Sequence, residues 1–237
     1  MAEMIQYWDK MLPNQTEHSN MYAGNDLMRD LHASITSSCN IKDPKEEFDL
    51  EESHLFSIEQ MASNPIAMQF LKFLIEVAQV KTILEIGTFV GFSAMSFASA
   101  VPKDGKVYTI EKFDHFADIA ERNFKKNKLD NKIELIRGDA FKQLDKLPPN
   151  ILFDLIFIDG DKERYEDYFK ATTKSLSPNG IVIVDDCFFH GDVLNSPPSS
   201  AKGKGTKSFL ETAAELDDWN RIALPLSNGM YILKRNL

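Results

Sequence analysis

The segment that most constrains this chain is Lys81-Thr82-Ile83-Leu84-Glu85-Ile86-Gly87-Thr88-Phe89-Val90-Gly91-Phe92-Ser93. It reads as a strand, a glycine turn and the first turn of a helix in immediate succession. Residues 80–86 form a short apolar run with β-branched members, the pattern of a strand buried on both faces. Gly87 follows at once, and Gly91 comes four residues later. Glycine lets the backbone turn sharply there and lets a ligand approach with no Cβ in the way. Ser93 and the run Ala94-Met95-Ser96-Phe97-Ala98 then open a helix whose free N–H groups face the turn.

The turn also restricts the ligand. A dinucleotide site uses three glycines, G-x-G-x-x-G, to seat a pyrophosphate. Here there are two, spaced G-x-x-x-G, and Glu85 stands two residues before the first. An acid at that point disfavours a pyrophosphate and suits a cation. S-adenosylmethionine carries a sulfonium and an amino group and no phosphate, so the segment favours that cofactor over a nicotinamide dinucleotide. The plain alternative is a strand-to-helix turn that binds nothing.

Around this unit the pattern alternates. Asn64-Pro65 marks a helix start, and Ile66, Phe70, Phe73, Leu74 and Val77 keep helical spacing, which predicts a core-facing stripe. Residues 107–110, 133–136, 153–158 and 181–184 read as further strands, with helices over 114–128 and 165–176, the latter ended by Asn179-Gly180. The apolar runs 219–225 and 230–234, joined across Asn228-Gly229, read as an antiparallel hairpin. The expectation is a Rossmann-like α/β fold: a seven-stranded, mostly parallel sheet, helices on both faces and a C-terminal antiparallel hairpin. Residues 1–55 read as a polar helical segment of the same domain, with Leu27, Leu31 and Ile35 on one helix face and an acidic loop over 43–54. Residues 190–207, rich in Ser, Pro, Gly and Lys, read as a long loop at a strand's C-terminal end, either a lid or specificity loop or simply mobile.

Bulk properties exclude several functions. With 237 residues the chain suits one large α/β domain. A net charge of −9 argues against a nucleic-acid partner, which needs a positive footprint. Residues 1–13 lack the apolar core of a signal peptide. No apolar run approaches the ~18 residues of a membrane span. Two cysteines, Cys39 and Cys187, fit a reduced cytoplasm.

The strand ends carry acids. Glu111 lies 24 residues after Gly87, near the spacing at which a carboxylate grips ribose hydroxyls, though an exposed acid at a helix start has the same appearance. Asp139 is placed to bond an adenine amino group or to cap the next helix, with the Ala140 backbone beside it. Asp159, Asp185 and Asp186 end two further strands. If they meet in one crevice they repel, and a hard divalent cation with oxygen ligands (Mg²⁺, Mn²⁺ or Ca²⁺) relieves that; separate caps and surface charges explain them equally well.

Together, Leu84 to Ser93, the run Phe157-Ile158-Asp159-Gly160-Asp161-Lys162 with Tyr165 and Tyr168, Val184-Asp185-Asp186, and the closing Leu224-Pro225 with Gly229-Met230 resemble the cation-dependent O-methyltransferases of the caffeoyl-CoA and catechol type. The resemblance runs from about residue 57 to the C-terminus. It implies that 56–237 form an S-adenosylmethionine-dependent methyltransferase domain acting on a catechol-like phenol, commonly as a homodimer. Glu85, Gly87, Thr88, Ser93 and Met61 would hold the methionine part of the cofactor. Glu111 would take the ribose, and Asp139 and Ala140 the adenine, with Tyr168 and Asp159 beside the cofactor. Asp159, Asp185 and Asp186 would ligate the cation, Asp161 would contact substrate, and Lys162 would serve as base or charge stabiliser. The family more usually has Asn where this chain has Asp186. A metal-independent methyltransferase of the same fold and a non-catalytic cofactor-binding protein are the rival readings.

Overall fold

The structure is a computed structural model that describes residues 26–148 and 150–236. The expectations placed on residues 1–25, and on the side chain of Leu27, lie outside the described residues. A helix, α1 (Asp26–Ser38), comes first, with Leu31 half exposed. Short helices α2 (Pro44–Glu47) and α3 (Ile58–Met61) lead into α4 (Pro65–Val77). The Asn64 side chain starts α4 by accepting hydrogen bonds from the Ile66 and Ala67 N–H groups.

The expected alternation follows: β1 (Thr82–Ile86), α5 (Phe92–Ala100), β2 (Lys106–Glu111), α6 (Asp114–Lys126), β3 (Ile133–Arg137), α7 (Ala140–Leu144), β4 (Phe153–Ile158), α8 (Tyr165–Thr172), β5 (Leu176–Val184), α9 (Ala201–Ala214), β6 (Trp219–Leu224) and β7 (Met230–Arg235). The seven strands form one sheet in the order β3-β2-β1-β4-β5-β7-β6. β1 to β5 are parallel, while β7 pairs antiparallel with both β5 and β6. One face buries Ile83, Val107, Phe157 and Ile183 beneath α4, α5 and α6. The other buries Leu84, Ile156, Ile158 and Val184 beneath α7, α8 and α9. Side chains alternate across a strand, so Glu85 shares a face with Ile83 and lies under α5. Among the described residues, no helix is long and apolar enough to cross a membrane.

Three expectations are corrected. The stripe on α4 is rotated: Ala67, Met68, Leu71 and Ile75 are the buried residues, and Phe73 and Val77 are 62% and 63% exposed. The helix is apolar nearly all round, so spacing alone does not select the face that meets the sheet. Second, the helix after Tyr165 stops at Thr172, and β5 begins at Leu176 after a 3-10 turn. Asn179-Gly180 lies inside β5, where the pairing with β4 jumps from Phe153↔Leu176 to Leu155↔Ile181. The ladder bond at the buried Leu176 overrides the local turn signal. Third, residues 190–207 are largely structured. A 3-10 segment spans Phe189–Leu194, and α9 starts at Ala201, capped by Ser200 through the Gly203 N–H at 2.9 Å. Two of the three glycines that suggested a loop, Gly203 and Gly205, are packing positions. A Cβ on Gly203 would run into Asp192, and one on Gly205 into the Lys162–Glu163 backbone.

The acidic stretch 43–54 is not merely solvated. Glu47, Asp49, Glu51 and Glu52 pair with Lys72, Lys126, Arg122 and Lys45.

Candidate active site

In an open parallel sheet, ligands bind outside the carboxyl ends of the strands where the strand order reverses. Here that point lies between β1 and β4. Gly87 and Asp159 follow those two strands and touch: the Asp159 N–H donates to the Ile86 carbonyl at 2.9 Å. Gly87 has φ +98°, and a Cβ on it would lie 2.5 Å from the Asp159 carbonyl oxygen. Glycine is required there by both conformation and contact.

Glu85 points away from this seam, under the first turn of α5. It is fully buried, and its Oε2 accepts a short hydrogen bond from Thr109, which also meets Thr88. Among the described residues, its Oε1 has no hydrogen-bond partner. Burial pushes the carboxyl up to about 8, opposed by the Ser93 and Thr109 hydroxyls and reinforced by Asp159 and Glu111. A buried acceptor without a donor is costly, and an ammonium would satisfy it.

Glu111 is also buried and grips the glycine turn. Its Oε2 accepts from the N–H groups of Thr88 at 3.1 Å and Phe89 at 2.9 Å, and its Oε1 from Phe113 at 2.9 Å. Burial raises its carboxyl above the usual range, against these backbone donors. Asp139 caps α7 through the Phe141 N–H at 3.1 Å, and Ala140 is buried beside it. Tyr168 stacks on Phe141 with ring centres 4.8 Å apart, and Arg164 lies over the Phe141 ring at 3.8 Å. Burial, then Asp161, pushes the Tyr168 phenol up to about 12.

The ends of β4 and β5 bring Asp159, Asp185 and Asp186 together with Lys162. The Lys162 ammonium is 3.0 Å from Asp159 Oδ1 and 3.1 Å from Asp186 Oδ2. Burial alone would lower that ammonium; Asp159, Tyr165 and Asp186 overturn this and hold it well above the ordinary lysine range. Asp185 is buried and accepts from the Asp186 N–H at 3.0 Å, and its backbone carbonyl accepts from the Tyr165 hydroxyl at 2.9 Å. Burial, then Asp186 and Asp159, raises its carboxyl well above the normal range. Three carboxyl groups therefore crowd one ammonium that pairs with two of them, and burial raises Asp159 as well as Asp185; a set of this kind suits an oxygen-seeking divalent cation. Among the described residues, no three acidic, histidine or cysteine side chains are arranged to hold a metal ion; Lys162 pairs with two of these acids.

Two predicted residues are exposed rather than buried. Asp161 is exposed and caps the Lys162–Arg164 turn through the Glu163 N–H at 3.2 Å. Met61, at the end of α3, is 49% exposed. Sequence reasoning missed Thr109 and the structural role of Tyr165. Thr109 was findable only through strand order, since its register partner is Glu85.

A sheet of this order, with an acidic crevice at its switch point and a buried, half-satisfied carboxylate under the glycine turn, defines a Rossmann-like cofactor-dependent enzyme domain. A family profile for O-methyltransferases matches residues 40–236. The catechol O-methyltransferase of Niastella koreensis is 31% identical over 148 residues, covering 62% of this chain and 67% of that protein. The caffeoyl-CoA O-methyltransferase of Medicago sativa is 27% identical over 178 residues, 70% of this chain and 72% of that one. Among solved structures, the O-methyltransferase TomG of Streptomyces achromogenes, in complex with SAM, superposes with a TM-score of 0.73 at 26% identity, covering 86% of this chain and 95% of that one. The SAH-bound methyltransferase PaMTH1 of Podospora anserina shares the fold, with a TM-score of 0.75 at 23% identity over 90% of this chain and 97% of that one. The chain belongs to the O-methyltransferase family.

Proposed function

We propose that this enzyme methylates one hydroxyl of a catechol-like small molecule with the help of a divalent cation. The observation that carries the reading is the crowding of the Asp159, Asp185 and Asp186 carboxyl groups around the single Lys162 ammonium, beside the turn that seats the cofactor. S-adenosylmethionine supplies an electrophilic methyl group and its own leaving group, so the protein's task is orientation. A divalent cation held by Asp159, Asp185 and Asp186 supplies Lewis acidity that favours ionisation of a vicinal diol.

The remaining roles belong to the chain. Glu85 Oε1 accepts from the amino group of the methionine moiety, with Gly87, Thr88, Ser93 and Met61 along the same tail. Glu111 takes the ribose hydroxyls, and Asp139, Ala140 and Tyr168 border the adenine. Asp161, exposed at the crevice mouth, contacts the acceptor. Lys162 is held charged by its neighbours, which favours stabilisation of a developing phenolate over proton abstraction. Homodimer formation and a cytoplasmic location belong to the same reading. Sedimentation of the purified chain checks the first, and the free thiols Cys39 and Cys187 support the second.

The test is transfer of a labelled methyl group to a panel of catechols with Mg²⁺ and then with excess chelator. Transfer that stops with chelator and returns with Mg²⁺ supports the reading. A second reading, methyl transfer without metal, is favoured by one observation: the Lys162 ammonium already pairs with both Asp159 and Asp186. Chelator-resistant transfer selects it.

A further inference from the structure

The glycine turn is clamped from two sides, and only one clamp belongs to the acidic crevice. Glu111 holds the Thr88 and Phe89 N–H groups from the sheet side. From the other side Asn123 of α6, fully buried, donates from Nδ2 to the Val90 carbonyl at 2.9 Å. The same side chain closes a two-way bond with the chain ahead of α3: the Glu51 N–H donates to Asn123 Oδ1 at 2.7 Å, and Nδ2 donates to the Glu51 carbonyl at 3.1 Å. One turn along α6, Asn127 repeats the arrangement with Asp49, its Oδ1 accepting at 3.0 Å and its Nδ2 donating at 3.1 Å. Residues 49–53 thus lie along α6 as a strap, fixed further by Arg122 to Glu51, Lys126 to Asp49 and His115 to Ser53. Beneath the strap, Val90 is buried with Ile58 and Ile119. The next residue, Gly91, has φ +92°, and a Cβ on it would strike the Phe124 ring.

We propose that Asn123 is a positioning residue for cofactor binding. Its three hydrogen bonds tie the strap to the Val90 carbonyl, so that residues 88–91 are held in their bound shape before the cofactor arrives. A loop without this tie orders only on binding and gives up part of the affinity. Asn127 supplies the comparison, because it holds the strap in the same way while its side chain bonds Asp49 and the Asn123 carbonyl rather than the glycine turn. The proposal rests on the turn being the cofactor seat.

The test measures S-adenosylhomocysteine binding by calorimetry for the wild type, Asn123→Ala and Asn127→Ala, with thermal stability and amide exchange of residues 88–91 recorded alongside. The expected result is an affinity loss of about tenfold for Asn123→Ala, the worth of one to two hydrogen bonds. Faster exchange at 88–91 accompanies it, while Asn127→Ala loses stability and keeps its affinity. Unchanged affinity in Asn123→Ala, or an equal loss in Asn127→Ala, overturns the proposal. Should Asn123→Ala not fold, Asn123→Ser carries the same comparison. A wild type that binds no S-adenosylhomocysteine removes the cofactor reading instead, and the exchange measurement still reports on the clamp.

Discussion

Lys162 and Asp186, on the segments that follow β4 and β5, are joined by an ion pair of 3.1 Å. The same ammonium reaches Asp159, so one positive charge spans two strand ends and leaves the Asp185 carboxyl without a countercharge. On the proposed reading this arrangement links stability, cation binding and catalysis in one small volume. Either Lys162 shares the site with a cation or it substitutes for one.

Replacing Lys162 by Met leaves two partly buried carboxylates without their partner. Breaking such a pair by removing one side costs roughly 3 kcal/mol. The expected outcome is a lower melting temperature for the variant at neutral pH, recovered by Mg²⁺ to a greater degree than in the wild type. Thermal melts with and without Mg²⁺ check it. Equal Mg²⁺ responses in both proteins count against a cation site at these carboxylates.

Asp185→Ala removes the most strongly perturbed carboxyl of the trio. If the cation reading holds, transfer to catechols falls by on the order of a hundredfold, and the Mg²⁺-induced rise in melting temperature disappears. Full activity in a folded variant would sink the metal role.

Glu85 gives a pH signature of known sign. Its folded carboxyl holds a proton up to about 8, whereas an unfolded glutamate loses it near 4.5. The folded state therefore binds more protons between these values. Its contribution to stability is fully present below 4.5 and is lost as pH rises through 8. Glu85→Gln has no such loss. The stability difference between variant and wild type should widen toward the variant by a few kcal/mol from pH 5 to pH 8, read from urea unfolding at stepped pH. The variant should also bind S-adenosylhomocysteine more weakly, because an amide cannot supply the negative charge that, on the proposed reading, meets the cofactor's amino group.

Gly87→Ala meets the Asp159 carbonyl and an unfavourable φ together. Backbone strain of this kind costs roughly 1–3 kcal/mol. The expected outcome is a destabilised protein that no longer binds S-adenosylhomocysteine, since the seam between β1 and β4 must open. Denaturant titration and calorimetry read the two effects separately.

The order of the strands, most of the helices between them, the glycine turn, the closing hairpin and the acids at the strand ends were legible in the sequence, and α9 was not. Each depends on short-range signals: period-two and helical apolar spacing, turn glycines and caps. The sequence also favoured a cationic cofactor, because Glu85 and Gly87 are near neighbours in any fold. Tertiary structure decided the rest. Which face of α4 is buried depends on where the sheet lies, since Phe73 and Leu71 are equally apolar. α9 is helical despite its glycines because Gly203 and Gly205 pack against Asp192 and the Lys162 turn. The Thr109 partner of Glu85, the Lys162 bridge and the Asn123 clamp join residues far apart in the chain. Their meeting depends on strand order and on how helices lie across the sheet. No local pattern encodes those long-range relations, and burial then sets the charge state of the groups they bring together.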